Sequence, residues 1–151
     1  MIPLKRILLV EDSPRDAELI LDALAANQLA NEVVHVRDGA EALDYLHRRG
    51  QFASRMDAQP AMILLDLKLP KVDGLEVLRQ IKVDAALKVI PVVMMTSSRQ
   101  EQDLVRSYEL GVNAYVVKPV DFHQFVESIK QVGFFWAIVN EPPPVVLKRS
   151  N

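Results

Sequence analysis

Three acidic residues stand directly after runs of apolar residues. Glu11 and Asp12 follow ILLV, and Asp66 follows MILL. Carboxylates crowded together repel one another unless a cation lies among them. Carboxylate oxygens suit Mg²⁺, whereas the lack of cysteine and of a histidine after these runs argues against zinc. The three residues therefore predict a magnesium site, in which one carboxylate stays free to act as a nucleophile.

Hydroxyl groups and a cation follow two later apolar runs. Thr96 and Ser97 end one run, and Lys118-Pro119 ends the other. A carboxylate can attack a phosphoryl group and form an aspartyl phosphate. Mg²⁺ and Lys118 would offset the charge of the phosphoryl oxygens, and the Thr96 hydroxyl could donate one hydrogen bond. Each residue alone also fits an ordinary cap, turn or solvated surface position, so the prediction depends on their convergence.

The elements that must position these residues are short apolar runs alternating with helical segments. The runs are almost continuously apolar, which is typical of strands buried on both faces. Strands are predicted at Ile7–Val10, Val33–Val36, Met62–Leu65, Val89–Met95 and Ala114–Val117. The pattern indicates an α/β fold, a flavodoxin-like (βα)5 doubly wound parallel five-stranded sheet of order 2-1-3-4-5. Its first and third strands are neighbours, so the three acids would meet at the carboxyl edge.

Five helices are predicted between and after the strands. The first is capped by Ser13, begins at Pro14 and buries Ala17, Ile20, Leu21 and Leu24. The other helices are predicted at Ala40–Arg49, after Asp73-Gly74, from Gln100 to Leu110, and from about Asp121. A long connection, Gly50 to Pro60, interrupts this alternation of strands and helices.

Composition limits the classes of partner. The 151 residues carry 18 basic and 20 acidic side chains, a net charge of −2, which favours neither nucleic acid nor an anionic membrane as partner. No apolar run approaches the ~20 residues of a membrane span, and the N-terminus does not resemble a signal peptide. We expect a cytoplasmic protein with one domain over residues 1–136 and a Pro-rich extension over residues 137–151.

Four motifs resemble the receiver domain of two-component response regulators: ILLVEDS, MILLDLKLPKVDGLEVL, VVMMTSS and AYVVKP. The resemblance runs from about Lys5 to Lys130. It implies that Asp66 is the phosphoacceptor and that Mg²⁺ is held by Glu11, Asp12, Asp66 and the backbone carbonyl of Lys68. It further implies contacts to the phosphoryl group from Thr96, Ser97 and Lys118, a switch formed by Thr96 and Tyr115, and a cis Lys118-Pro119 bond.

The same resemblance implies a histidine kinase as phosphodonor. The protein would assist its own modification without turning over a free substrate, so we do not expect an enzyme. No DNA-binding domain is expected after the receiver, which leaves protein contact as output. The segments VRDGAEALDYL and TSSRQEQDL and a late Phe-Trp pair resemble the single-domain regulators of bacterial and cyanobacterial phytochromes. A phosphorelay intermediate and a docking module that needs no phosphorylation remain as alternatives.

The predicted fifth helix is too apolar to have one buried face. Phe125, Val132, Phe135 and Trp136 would leave an aromatic patch in addition to the side that covers the sheet. We expect a homodimer through the fourth helix, fifth strand and fifth helix, with the C-terminal extension as an arm. The alternative is that the extension folds back over the patch.

Two other functions are compatible with the fold class. A flavin carrier would need a glycine- or hydroxyl-rich loop after the first strand, where Glu11 and Asp12 would instead repel phosphate. An aspartate-dependent phosphatase usually has a second acid two residues after its nucleophile, but Lys68 is found there. The three histidines, His35, His47 and His123, fit structural or solvated positions.

Overall fold

The computed structural model describes residues 6–26, 32–97, 100–118, 121, 123, 124 and 127. Its strands are β1 (Arg6–Val10), β2 (Glu32–Val36), β3 (Met62–Asp66), β4 (Val92–Thr96) and β5 (Ala114–Val117). Its helices are α1 (Pro14–Ala26), α2 (Gly39–His47), α3 (Gly74–Val83) and α4 (Glu101–Glu109). All paired strands are parallel, and their order is β2-β1-β3-β4-β5. The predicted fold is confirmed, whereas most of the predicted fifth helix lies outside the described residues.

The central strands divide their side chains between two apolar layers. Leu8 and Ile63 face one layer, which includes the buried side chains of α2 and α3. Ile7 and Leu64 face the other layer, which includes those of α1. Successive residues of a strand point to opposite faces, so a sheet covered on both sides requires apolar residues at nearly every position. This arrangement explains the continuous apolar runs.

Helix boundaries follow local side-chain chemistry. The Ser13 hydroxyl accepts a hydrogen bond from Asp16 N at 3.2 Å, so the predicted cap of α1 is confirmed. Asp38 caps α2 by accepting from Glu41 N at 2.7 Å. Helix α2 ends at His47, before the predicted Arg49, because Arg48 adopts the left-handed conformation with φ 55°.

The predicted start of the fourth strand was wrong. Val89 is 74% exposed, and β4 begins only at Val92. Pro91 has no N–H to donate to a neighbouring strand, so it cannot pair as a strand residue does on both sides. Its carbonyl group accepts a hydrogen bond from Ile63 N at 2.9 Å. A proline inside the apolar run therefore marks the beginning of the strand.

The connection from Gly50 to Pro60 contains a 3-10 turn at Gly50–Phe52 and is fixed by arginines. The Arg55 guanidinium group donates to Tyr45 O and lies 3.9 Å from the centre of the Tyr45 ring. Arg48 donates to the carbonyl groups of Arg55 and Asp57. These arginine side chains thus donate to backbone carbonyl groups that have no hydrogen-bond partner in a helix or strand. Within the described residues, no helix is long and apolar enough to cross a membrane.

Candidate functional site

The carboxyl edge of the sheet brings the three predicted acids together. Glu11 and Asp12 follow β1, and Asp66 is the last residue of the adjacent β3. One carboxylate oxygen from each of the three lies within 4.8 Å of the others. A set of hard oxygen donors this compact fits a divalent cation such as Mg²⁺. Lys68 lies two residues after Asp66 in an exposed position of the loop between β3 and α3.

Glu11 is the fully buried member of this cluster. Its backbone N donates to Val36 O at 3.0 Å, its Oε2 accepts from Ser13 N at 3.1 Å, and His35 Nε2 donates to its carbonyl oxygen at 2.8 Å. Burial raises the pKa of Glu11 to about 7, although hydrogen bonds from Lys118 and Ser13 oppose the shift. Asp12, by contrast, is exposed. The two neighbouring acids therefore combine a buried ligand with a solvated one.

Asp66 is 5% exposed and is held by the loop that follows it. Its Oδ1 accepts from Lys68 N at 3.3 Å, and its Oδ2 accepts from Lys118 Nζ at 3.0 Å. Gly74, the first residue of α3, closes the loop by donating from its N to Leu67 O at 2.9 Å. A Cβ atom at position 74 would lie 2.2 Å from Asp66 O, so only glycine fits there.

Lys118 follows β5 and carries its ammonium group into the acidic cluster. Its Nζ lies 2.5 Å from Glu11 Oε1, 3.0 Å from Asp66 Oδ2 and 3.3 Å from Asp16 Oδ2. Burial lowers the pKa of Lys118, but the hydrogen bonds with Glu11 and Asp66 outweigh it, so the pKa is above its usual value. The ammonium group therefore stays charged. Asp16 lies in the first turn of α1 and was not among the predicted site residues.

Thr96 and Tyr115 lie on the neighbouring strands β4 and β5. Thr96 ends β4 and is 1% exposed, whereas Ser97 is exposed. Tyr115 is half-buried, and its ring stacks on Tyr108 of α4 with centroids 6.1 Å apart. Burial raises the pKa of Tyr115, and a hydrogen bond with the Thr96 side chain acts in the opposite direction. The Tyr115 ring thus connects β5 to α4.

Several predicted residues lie outside the described part of the chain. They are Pro119 with its peptide bond to Lys118, and Phe125, Val132, Phe135 and Trp136 of the predicted dimer surface. The cis bond and the aromatic patch stay predictions.

A groove of about 420 Å³ opens beside the acidic cluster. Asp12 and Lys68 line it together with Leu69 and Pro70 of the following loop, and Asp103 of α4 lines its far side. The groove therefore borders the acidic cluster on the side of Asp12.

Comparison with known proteins agrees with this geometry. Residues 7–130 match the model of the response regulator receiver domain. The response regulator Rcp1 of Synechocystis sp. is 41% identical over 134 residues, which are 89% of this chain and 90% of Rcp1. A solved manganese-bound form of Rcp1 has a TM-score of 0.74 at 40% identity, covering 92% of this chain and 99% of the other.

Two solved structures have higher identity. The bacteriophytochrome response regulator AtBRR is 64% identical with a TM-score of 0.83, covering 93% of this chain and 100% of the other. RtBRR, another bacteriophytochrome response regulator, is also 64% identical, with a TM-score of 0.82 and coverage of 93% and 85%. The chain therefore belongs to the receiver domain family of two-component response regulators, within which it is similar to the response regulators of phytochromes.

Proposed function

We propose that this protein accepts a phosphoryl group on Asp66 from a phosphohistidine of a partner kinase. The observation that carries the proposal is the position of Lys118 Nζ, 3.0 Å from Asp66 Oδ2 beside the carboxylate cluster. A nearly buried carboxylate next to a cation and a hard-oxygen metal site has what phosphoryl transfer requires, namely a nucleophile and positive charge around it. The protein is itself modified and does not turn over a free substrate, so it is a phosphoacceptor rather than an enzyme.

In the transfer, one Asp66 oxygen attacks phosphorus, and the bond from phosphorus to the histidine nitrogen breaks. The imidazole leaves with the electron pair. Lys118 moves its hydrogen bond from the Asp66 carboxylate to a phosphoryl oxygen, and Thr96 donates its hydroxyl to another. A magnesium ion held by Glu11, Asp12, Asp66 and the Lys68 carbonyl would supply positive charge to the phosphoryl oxygens. The manganese-bound form of Rcp1 supports a divalent cation at this kind of site.

The response to phosphorylation passes through Thr96 and Tyr115. When Thr96 turns to the phosphoryl group, the interaction of its side chain with Tyr115 changes. Tyr115 stacks on Tyr108, so its ring couples β5 to the surface of α4. One local charge can shift the equilibrium between two such conformations. The surface built from α4, β5 and the predicted fifth helix would carry the output.

The partner kinase that the comparisons favour is a phytochrome. Two bacteriophytochrome response regulators share 64% of the sequence over 93% of this chain. The discriminating measurement is transfer from a phosphorylated phytochrome kinase in competition with other histidine kinases of the same cell. A clear preference for a non-phytochrome kinase would reject this assignment.

Phosphorylation itself is tested with a small phosphodonor. We expect intact-mass spectra to show one acid-labile phosphoryl adduct after incubation with acetyl phosphate and Mg²⁺. The adduct should not form when a chelator removes the metal before the phosphodonor is added, and it should not form in Asp66→Asn. Asp22→Asn, at an exposed position on α1, should be phosphorylated as the wild type is. The same adduct in Asp66→Asn would refute the proposal. Kinase binding without any adduct would favour a docking module.

A further inference from the structure

The Lys118 ammonium group has three carboxylate partners. Glu11, Asp66 and Asp16 lie at 2.5, 3.0 and 3.3 Å from Nζ. An ammonium group has three donors, so each partner can occupy one of them. Glu11 and Asp66 already have functions in the proposed transfer, whereas Asp16 has none.

Glu11 and Asp66 are both engaged once the site is loaded. They belong to the cluster whose oxygens lie within 4.8 Å of one another, and Asp66 would also carry the phosphoryl group. Asp16 is not a member of that cluster, so its carboxylate stays available to Lys118. The contact with Asp16 is therefore the ion pair that Lys118 can keep before, during and after the transfer.

The position of Asp16 suits this role. Its backbone N donates to the Ser13 hydroxyl, which fixes the residue in the first turn of α1. The Asp16 side chain is 40% exposed and that of Lys118 only 12%. The Asp16 carboxylate is thus partly hydrated, whereas the buried Lys118 ammonium group needs a partner. A carboxylate is also favoured near a helix N-terminus.

We propose that Asp16 is a positioning residue that holds the Lys118 ammonium group at the phosphoryl site while Glu11 and Asp66 are engaged. The proposal rests on the proposed phosphorylation of Asp66. Lysine is a point charge on a flexible four-carbon stem, so its position depends on what it pairs with. Without Asp16, the ammonium group offsets the developing phosphoryl charge less well, and transfer is slower.

The first test is the phosphorylation rate constant at saturating Mg²⁺ and acetyl phosphate, followed by intact mass. We expect Asp16→Asn to lower it by about two- to five-fold, the size of a partly exposed charge pair. Asp16→Glu keeps the charge and should recover part of the rate. Glu18→Gln is the matched control, because residues two apart on a helix do not share a face. A rate constant for Asp16→Asn equal to or above wild type would overturn the proposal.

A second measurement separates positioning from a general effect of charge. In a Lys118→Met background, Asp16→Asn should cause no further fall in rate, since its effect passes through Lys118. A further fall would count against the proposal.

Nuclear magnetic resonance of the Lys118 ¹⁵Nζ group, with Mg²⁺ and beryllofluoride as a stable phosphoryl mimic, gives a readout independent of rate. We expect a slowly exchanging signal in the wild type and in Asp16→Glu, and its loss in Asp16→Asn. An unchanged signal in Asp16→Asn would reject the positioning role.

The proposed function and the positioning role fail differently. The proposed phosphoacceptor function itself is wrong if the wild type is not phosphorylated, or if Asp66→Asn is still phosphorylated. If the wild type is phosphorylated on Asp66 and Asp16→Asn matches it, only the role of Asp16 is wrong. Thermal unfolding of each variant identifies any loss of fold, in which case the Asp16→Glu rate and signal decide.

Discussion

At the scale of single residues, we expect Glu11 to make metal binding depend on pH. Burial raises its pKa to about 7, so its carboxyl group is protonated below that pH and must lose the proton before it binds a cation. We expect Mg²⁺ affinity, measured by titration calorimetry, to fall as the pH drops below about 7, by up to about ten-fold per pH unit. Glu11→Gln should bind more weakly and without this dependence. A constant wild-type affinity down to about pH 5 would contradict the prediction.

Two residues with positive φ should respond oppositely to glycine. Lys71 has φ 67°, and its side chain, 69% exposed, makes an ion pair of 3.5 Å with Asp38. Lys71→Gly relieves backbone strain, and we expect it to raise the free energy of unfolding by up to about 1 kcal/mol. Arg48 has φ 55°, but its side chain donates to the carbonyl groups of Arg55 and Asp57. Arg48→Gly should therefore lower the free energy of unfolding. Urea titration of both variants measures this quantity, and equal changes in the two variants would refute the explanation.

At the scale of elements, the contact between α3 and the end of β3 fixes the position of Asp66, the proposed phosphorylation site. A Cβ atom at Gly74 would lie 2.2 Å from Asp66 O and 2.6 Å from Leu67 O, both backbone atoms that cannot move alone. We expect Gly74→Ala to lower the free energy of unfolding by about 1–3 kcal/mol or more and to slow phosphorylation, because the loop must shift. Gly111→Ala is the control: it also strains the backbone, at φ 84°, but meets no atom within 4 Å. Its phosphorylation rate should be unchanged.

Elements were predictable where the sequence carries a local signal. The cap of α1 depends on Ser13 and Pro14, which are adjacent residues, and it was predicted correctly. The start of β4 was misplaced because Val89 and Ile90 continue the apolar run, although Pro91 interrupts the ladder. The conformation of the Gly50 to Pro60 connection depends on a hydrogen bond from the Arg55 side chain to Tyr45 O, ten positions away. No pattern in the connection itself indicates that contact.

At the scale of the whole molecule, the site depends on strand order. Lys118 and Asp66 are 52 positions apart, and they meet because parallel strands present their carboxyl ends at one edge. Fold class and convergence therefore follow from the alternation of strands and helices. The contact of Lys118 with Asp16, across 102 positions, does not follow, because it depends on the angle at which α1 leaves β1. An acid in a first helical turn has a common local explanation, so its second role becomes visible only in three dimensions.

Association of two copies is the prediction that involves the molecule as a whole. Phe125, Val132, Phe135 and Trp136 form the predicted aromatic patch, which lies outside the described residues. We expect the full chain to be a dimer by size-exclusion chromatography with light scattering, and Phe135→Asp to be a monomer, since an unpaired charge is costly in an apolar interface. Val89→Asp is the control, because Val89 is 74% exposed and precedes β4, at the opposite edge of the sheet from the site. A monomeric wild type would contradict the prediction and favour the alternative in which the extension folds back over the patch, whereas a dimeric Phe135→Asp would place the interface elsewhere.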